Sequence, residues 1–474
     1  MSGNIRGRRS ILPSLRASED RPGFSMPPCV SRTSFPPTLP SRLRRAEPNS
    51  LFHTSRPPCY HSPGEIQRLK RRRCEMFRTC LVAAFVLLLI PELAGARTWE
   101  VYPDGSGDVP TIQAAIDASA PDDSIAAHAG TYYESISIVQ KNGIHLMCPE
   151  SIAQAVLDPD GYNRCATCIE SFCSFNGFTF INGSHIHGGG IYVENSDVSA
   201  EQCILKDCYA AGTPPGGGGA IYLLNSDLLL CHSELTACAC DYKGGAIYAH
   251  TSSLDLRFAT LSENQGSDGG AIYTIDTNIT LTSSLFQSNQ ADYGAAIYHQ
   301  SHQLLVNDCL FASNQAAHGA GIYVGTSDPW QISGSTFVDN QASRSGAALT
   351  VTGYDPPDHC LVNSIVAYNR SPVSVCDLAD ANDPASCCLF WNPVQSDLPL
   401  ELVGTNGNIS LDPLFCDLEN SDFRLHADSP CAPGNHPDDY DCGLIGAYDV
   451  GCGTSGIPRT VEAVTWGTLK NRYR

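Results

Sequence analysis

Between residues 188 and 350 the chain repeats one pattern of small, apolar and aromatic positions. Gly188-Gly-Gly-Ile-Tyr192 returns as Gly218-Gly-Ala-Ile-Tyr222, Gly244-Gly-Ala-Ile-Tyr248, Gly269-Gly-Ala-Ile-Tyr273, Gly294-Ala-Ala-Ile-Tyr298 and Gly319-Ala-Gly-Ile-Tyr323, then fades in Gly346-Ala-Ala-Leu-Thr350. The tyrosines are 30, 26, 25, 25 and 25 residues apart. Sixteen residues beyond each of the first five stand Cys208, Cys238, Asn264, Asn289 and Asn314, and Asn340 follows at seventeen. Three residues before each of these lies Leu205, Leu235, Leu261, Phe286, Phe311 or Phe337. Stretches such as Ile221-Tyr-Leu-Leu224 and Ile279-Thr-Leu281 run apolar or alternate and break at Gly, Asn, Ser and Asp. They predict short strands bounded by turns, not helices. Three such strands per unit make one turn of an all-β, single-stranded parallel β-helix, a solenoid of about 25 residues per coil. Each coil then buries its apolar face only against its neighbours.

The recurring residues have mechanical reasons. Glycine supplies positive φ and close backbone approach at a corner every coil must turn. An inward Asn at Asn264, Asn289, Asn314 and Asn340 can bond its amide to the coils on either side, forming a ladder. Cys208 and Cys238 fill the same slot in earlier coils, about one strand spacing or ~4.8 Å apart, which predicts a bridge or a stacked thiol pair. With the isoleucines inward, alternation turns Tyr192, Tyr222, Tyr248, Tyr273, Tyr298 and Tyr323 outward. That column could stack on sugar rings or dock a partner, or its rings could stack on one another.

Two resemblances follow from these words. Gly-Gly-Ala-Ile together with Phe286-Gln-Ser-Asn289, Phe311-Ala-Ser-Asn314 and Phe337-Val-Asp-Asn340 resembles the repeat of the chlamydial polymorphic outer membrane protein family. The likeness covers roughly residues 188–350 and implies a β-helical surface passenger, often adhesive. Residues 351–474 are too few for the membrane barrel such passengers use, so no integral membrane domain is expected in the mature chain. Upstream, Trp99-Glu-Val-Tyr-Pro103 reads as a strand, and Thr111-Ile-Gln-Ala-Ala-Ile-Asp-Ala118 as a short capping helix with Ile112, Ala115 and Ile116 on one face and Pro110 near its first turn. With Gly130-Thr-Tyr-Tyr-Glu134 and Lys141-Asn-Gly-Ile-His-Leu146, this opening looks like that of pectate-lyase-like and pectin-methylesterase-like β-helix proteins. The far end, Asp412-Pro-Leu-Phe415 to Gly443-Leu-Ile-Gly-Ala-Tyr448, is similar to the closing coil of secreted right-handed β-helix repeat proteins. These resemblances imply a right-handed coil.

Composition changes the picture mainly at the start. Residues 1–75 carry 15 basic and 5 acidic residues, are rich in Pro and Ser, and show no periodicity. Met76-Phe-Arg78, the apolar run Cys80–Ile90 and Ala94-Gly-Ala96 then read as a signal peptide. Met76 is taken as the true start, which makes 1–75 a disordered basic extension from a mis-called start. The divisions are thus 1–75, a signal peptide at 76–96, a capped β-helix at 97–452, and a linker with a short basic tail at 453–474. The whole chain has a net charge of −20; residues 1–96 hold 16 basic and 6 acidic residues, so the remainder is at −30. Such a surface disfavours nucleic acid. Of the 22 cysteines, 18 follow residue 96. That density behind a signal peptide argues for disulfides in an extracytoplasmic, secreted or cell-surface protein. Cys165 with Cys168, Cys203 with Cys208, and Cys431, Cys442 and Cys452 are candidate staples.

Catalytic chemistry is hard to find. No Asp-Phe-Ile-Phe-Gly or Gly-Arg-Pro-Trp segment of pectin methylesterases occurs, and the polygalacturonase words are not assembled. His187-Gly-Gly-Gly190 mimics an oxyanion-hole word, but no Gly-x-Ser-x-Gly elbow accompanies it. Asp438, Asp439 and Asp441, and Asp158 with Asp160, are hard-oxygen clusters that could take Ca²⁺; no other cofactor is expected. The reading is therefore a non-catalytic β-helix acting in adhesion, carbohydrate binding or envelope scaffolding, with Tyr222, Tyr248, Tyr273, Tyr298 and Tyr323 as the ligand face and a polysaccharide or cell-surface protein as partner. The alternative is a polysaccharide lyase or hydrolase whose site is assembled from several coils.

Overall fold

The computed structural model describes residues 95–453 except 151–152, 212–215, 326–327, 353–359, 378–384, 394–398 and 400. The segments read from sequence as a basic extension and a signal peptide, up to Ala94, and as a tail, beyond Gly453, lie outside the described residues. The rest is a right-handed parallel solenoid of about 13 turns. Its walls are three parallel sheets of 12, 10 and 11 strands. Sheet 1 opens with Thr98–Val101 and includes Asp197–Glu201, Asp227–Cys231 and Ser253–Arg257. Sheet 2 carries Ile191–Glu194, Ile221–Leu224, Ile247–His250, Ile272–Ile275, Ile297–Gln300 and Ile322–Val324. Sheet 3 includes Thr260–Ser262, Leu285–Gln287, Leu310–Ala312 and Thr336–Val338.

Register repeats with the sequence. Ile221 pairs with Ile247, then Ile272, Ile297 and Ile322. Leu261 pairs with Phe286, then Phe311 and Phe337. All of these are buried, and the three phenyl rings stack at 4.9 and 4.6 Å. Identical side chains thus lie in columns along the axis, which is why one apolar word per coil suffices to fill the core.

Each corner between sheets couples a positive-φ residue to a polar one. From sheet 2 to sheet 1, Asn195, Asn225, Thr251 and Asp276 have φ between 48° and 52°. They precede Ser196, Ser226, Ser252 and Thr277. The N–H groups of Ser171, Ser196, Ser226 and Ser252 donate to the hydroxyl of the next coil's corner at 3.0, 3.1, 3.2 and 3.3 Å. A second hydroxyl set does the same between sheets 1 and 3, as in Cys309 N–H to Ser335 and Ser335 N–H to Ser364, both 3.2 Å. At the corner after sheet 3, Asn264, Asn289, Asn314 and Asn340 are fully buried. Their Nδ2 groups donate to the Oδ1 of Asn289, Asn314, Asn340 and Asn369 at 3.1, 2.9, 2.9 and 2.9 Å. Cys238 N–H donates into the first of these amides at 3.0 Å. Cys208 and Cys238 hold this slot in the coils before, as buried free thiols. These corner N–H groups thus meet an acceptor one coil away, and the hydroxyls of Ser196, Ser226 and Ser252 donate to the Glu194, Leu224 and His250 carbonyls of their own coil, as a dry interior demands.

The remaining corner is the glycine. Gly188, Gly218, Gly244, Gly269, Gly294 and Gly319 have φ from 60° to 68°. A Cβ at Gly269 would lie 2.3 Å from the Ile272 carbonyl oxygen, a backbone atom that cannot step aside. We expect Gly269→Ala to destabilise the fold by about 1–3 kcal/mol, read as a lower thermal midpoint by circular dichroism. An unchanged midpoint would show that this corner tolerates a side chain.

Helix α1 (Ile112–Ala118) covers the first coil, burying Ile112, Ala115 and Ile116. Thr111 caps it by accepting from Ala114 N–H, and the Glu134 carboxylate accepts from Ile112 and Gln113 N–H at 2.9 and 3.0 Å. Lys141 Nζ donates to the Asp117 and Ser119 carbonyls at the other end. Charges of opposite sign thus complement both ends of the helix dipole. Nearby, His128 lies between Glu100 and Glu150 and stacks on Tyr102. Burial opposes the imidazolium, but the two carboxylates outweigh it and raise the His128 pKa above its ordinary value. The folded imidazole holds its proton more tightly than the unfolded chain does. Its stabilisation is therefore full below the unfolded value of about 6.5 and fades as pH rises through the folded value. The stability difference between the native chain and His128→Gln, from denaturant midpoints, should shrink as pH is raised from about 6 to 9. A difference independent of pH would contradict this.

At the opposite end, Phe415–Asp417, Asp422–His426 and Val450–Cys452 form a small sheet. Two disulfides hold this region, Cys387–Cys442 and Cys416–Cys452. The close-spaced staples expected from sequence are thereby corrected. Cys442 and Cys452 are bridged, but to partners 55 and 36 residues away, whereas Cys165, Cys168, Cys203, Cys208 and Cys431 are free thiols. The thiol neighbour of Cys168 is Cys173 on the next strand, Sγ to Sγ 3.4 Å. No helix among the described residues is long and apolar enough to cross a membrane.

Candidate functional site: a polar groove beside the tyrosine column

The tyrosines point away from the core, yet they are not a free aromatic face. Tyr192, Tyr222, Tyr248, Tyr273, Tyr298 and Tyr323 stack in one continuous column, with ring centroids 4.8 to 5.5 Å apart and planes within 14°. Tyr222, Tyr248 and Tyr273 are only 6, 7 and 2% exposed. Tyr222, Tyr248, Tyr273 and Tyr298 each have both ring faces taken by their neighbours, which leaves none for a sugar to stack on, while Tyr323 stacks on Tyr298 alone. What covers them is the slot just before each corner glycine. His187 packs against Tyr222 at 4.7 Å, and Lys243 Nζ sits 4.3 Å over Tyr273. Tyr293 meets Tyr323 edge-on at 5.4 Å, and the space beside Gly217 is filled by the Tyr248 ring. At these four positions the corner packs on the tyrosine of the following coil.

That same corner, between sheet 3 and sheet 2, is where chemistry accumulates. Residues in its slot pair from coil to coil, Gly217 with Lys243, Lys243 with Asp268, Asp268 with Tyr293, and Tyr293 with His318. Beside them runs a groove of about 420 Å³, lined among others by Tyr209, Asp241, Gln265, Ser267, Gln290 and Asp292. Tyr209 donates to the Asp241 carboxylate at 2.5 Å. Lys243 Nζ donates to the Tyr273 hydroxyl at 2.7 Å and lies 4.0 Å from the Asp268 carboxylate. Tyr273 donates on to Gln300 at 3.3 Å. Burial raises the Asp268 carboxyl above its ordinary value, with Lys243 opposing and Asp292 adding to the effect. Burial likewise pushes the Tyr273 phenol up to about 12. His318 bonds Ser345 through Nδ1 at 2.9 Å and stacks on Tyr293 at 5.2 Å. Repeat reading missed this groove because its slot changes residue type at every coil. The signal present in the sequence was positional, the residue directly before each repeat glycine. The serine corner had a clearer one, Ser196, Ser226, Ser252 and Thr277 standing four residues after successive tyrosines.

The calcium candidates do not assemble. Asp438, Asp439 and Asp441 are exposed on an irregular turn, where the Asp438 N–H donates to His436 Nδ1. Asp158 is occupied by its own turn, accepting from Asp160 N–H at 2.9 Å, and by Asn182. Among the described residues, no three His, Cys, Asp or Glu side chains are arranged to hold a metal ion. Successive carboxylates along an irregular turn diverge, so clustering in sequence is not convergence in space.

Residues 167–371 match the family model described as "Right handed beta helix region". No curated protein is significantly similar to the chain. Solved structures of comparable fold include a pectate lyase, 12% identical with a TM-score of 0.37, covering 76% of this chain and 98% of its own. A rhamnogalacturonan lyase is 11% identical with a TM-score of 0.37, covering 69% and 92%. The pectin methylesterase of Aspergillus niger is 14% identical with a TM-score of 0.28, covering 80% and 97%. Over residues 167–371 the chain is thus similar in sequence to the right-handed β-helix family and has the coil that its description names.

Proposed function

We propose that the protein is an extracytoplasmic, non-catalytic β-helix that binds carbohydrate along the groove at Tyr209, Asp241, Gln265, Ser267, Gln290 and Asp292, serving adhesion or envelope scaffolding. The observation that carries this reading is the state of ionisable groups in the groove and in the corner slot beside it. Lys243 is committed to Tyr273 and Asp268, and Tyr209 to Asp241. Groups satisfied by their neighbours make a rigid hydrogen-bonding surface rather than a poised acid–base pair. Two terminal disulfides and the signal-peptide pattern support the extracytoplasmic setting. The test is retention of the purified chain on a panel of immobilised polysaccharides, with product release assayed in parallel. Retention without release, reduced about tenfold in Asp241→Asn/Asp292→Asn at unchanged circular dichroism, is the expected result. Absence of retention on every polysaccharide would sink it.

A second reading, a polysaccharide lyase or hydrolase, rests on one contact set. Lys243, Asp268 and Tyr273 come from two successive coils and converge within hydrogen-bond or ion-pair reach. Release of unsaturated or reducing ends that disappears in Lys243→Met would establish it and displace the first.

A further inference from the structure

Along the same corner, toward the helix-capped end, stands a cation unlike the others. Arg164 is half-buried beside Cys165, with its guanidinium 4.5 Å over the Tyr192 ring. Its terminal amine contacts the His185 imidazole. His187 N–H also points to His185, and His187 Nδ1 is buried with no hydrogen-bond partner. Five other cations meet carboxylates, Arg97 with Asp108, Arg257 with Asp255, Arg370 with Asp339, Arg424 with Asp422, and Lys243 with Asp268, and Lys141 is taken up by the carbonyls at the end of helix α1. Arg164 meets no carboxylate among the described residues. Segment 212–215 of the following coil reads Gly-Thr-Pro-Pro and brings no acid in its sequence. A desolvated guanidinium without a counter-charge is costly, and it is conspicuous in a chain of net charge −20.

The surroundings define what would complete it. Burial, and then the charge of Arg164, hold both His185 and His187 below the ordinary imidazole value, so they are neutral near pH 7 and offer hydrogen bonds without added charge. The guanidinium remains protonated and presents a planar fork suited to two oxygens of one acid group. One positive charge in an acidic molecule favours a single negative charge, since a densely charged polymer would be repelled by the surrounding carboxylates.

We propose that Arg164, His185 and His187 form a subsite for one carboxylate, carried by an acidic sugar in an otherwise sparsely charged glycan. This rests on the carbohydrate-binding reading, and a free small carboxylate is the other source of the same chemistry. The full chain is titrated with acetate while the imidazole C–H resonances of His185 and His187 are followed by NMR. The expected result is a saturable shift that sulfate at equal ionic strength does not reproduce and that Arg164→Gln abolishes. Arg164→Lys, which keeps the charge but not the fork, should weaken it about tenfold, and it keeps the test informative should Arg164→Gln not fold. A second arm compares an oligosaccharide bearing one uronic acid with its carboxyl-reduced counterpart. Tighter binding of the acidic form by about tenfold, lost in Arg164→Gln, supports the glycan source. Acetate shifts with equal binding of the two oligosaccharides would overturn that source and leave a small-anion site. No acetate shift, or one that survives in Arg164→Gln, would overturn the subsite itself, whatever the groove at Asp241 binds.

Discussion

Asn314→Ala should destabilise the coil by about 3–5 kcal/mol, although it removes no charge and little volume. The Asn314 Oδ1 accepts from both the N–H and the Nδ2 of Asn289, at 3.0 and 2.9 Å. Its Nδ2 donates to the Phe286 carbonyl at 3.0 Å and to Asn340 Oδ1 at 2.9 Å. All of this lies in a fully buried column. Truncation leaves the Asn289 donors facing a methyl group, and each orphaned group costs roughly 1–3 kcal/mol. Cysteine at Cys238 holds the equivalent slot and points its thiol to the Leu205 and Thr236 carbonyls. Asn314→Cys should therefore recover part of the loss. Denaturant unfolding, with hydrogen exchange of residues 285–340 as a local readout, measures both. A loss under about 1 kcal/mol would mean that water enters and substitutes for the amide.

Phe311→Ala should cost a similar amount, about 3–5 kcal/mol, through packing instead of polarity. Its ring is fully buried and stacks between Phe286 at 4.9 Å and Phe337 at 4.6 Å. Two flanking columns hold the backbone in register, so the cavity cannot collapse along the axis. Phe311→Leu should cost under about 1.5 kcal/mol, because Leu205, Leu235 and Leu261 occupy the same position in earlier coils. Equal effects of the two substitutions would show that the column relaxes around the loss.

What could be read from the sequence was whatever recurs in kind. Asn289, Phe311 and Gly269 repeat as residue types, so the period alone assigned each a place, and the spacing of Ile112, Ala115 and Ile116 located the capping helix. Strand alternation also put Tyr248 outside the core correctly, but it says nothing of what covers the outer side. The cover on Tyr273 is Lys243, thirty residues earlier in another coil. Cys387 and Cys442 are separated by 55 residues, a distance that crosses coils and that no local spacing rule reaches. The groove escaped notice for a related reason. Lys243, Asp268, Tyr293 and His318 share a slot and differ in type, and a repeat search looks for sameness.

The two ends of the solenoid are closed by different means. At one, helix α1 is held by hydrogen bonds and a buried apolar face; at the other, two covalent bridges fasten the terminal coils. In a stacked array each unit depends on the next, so disassembly begins where the boundary is weakest. The rod therefore has a polarity in time as well as in space. Heat or tension should peel it from the helix-capped end coil by coil. A protease following that front would leave a bridged stump as its last product, while the groove, lying between the two ends, would be lost partway through.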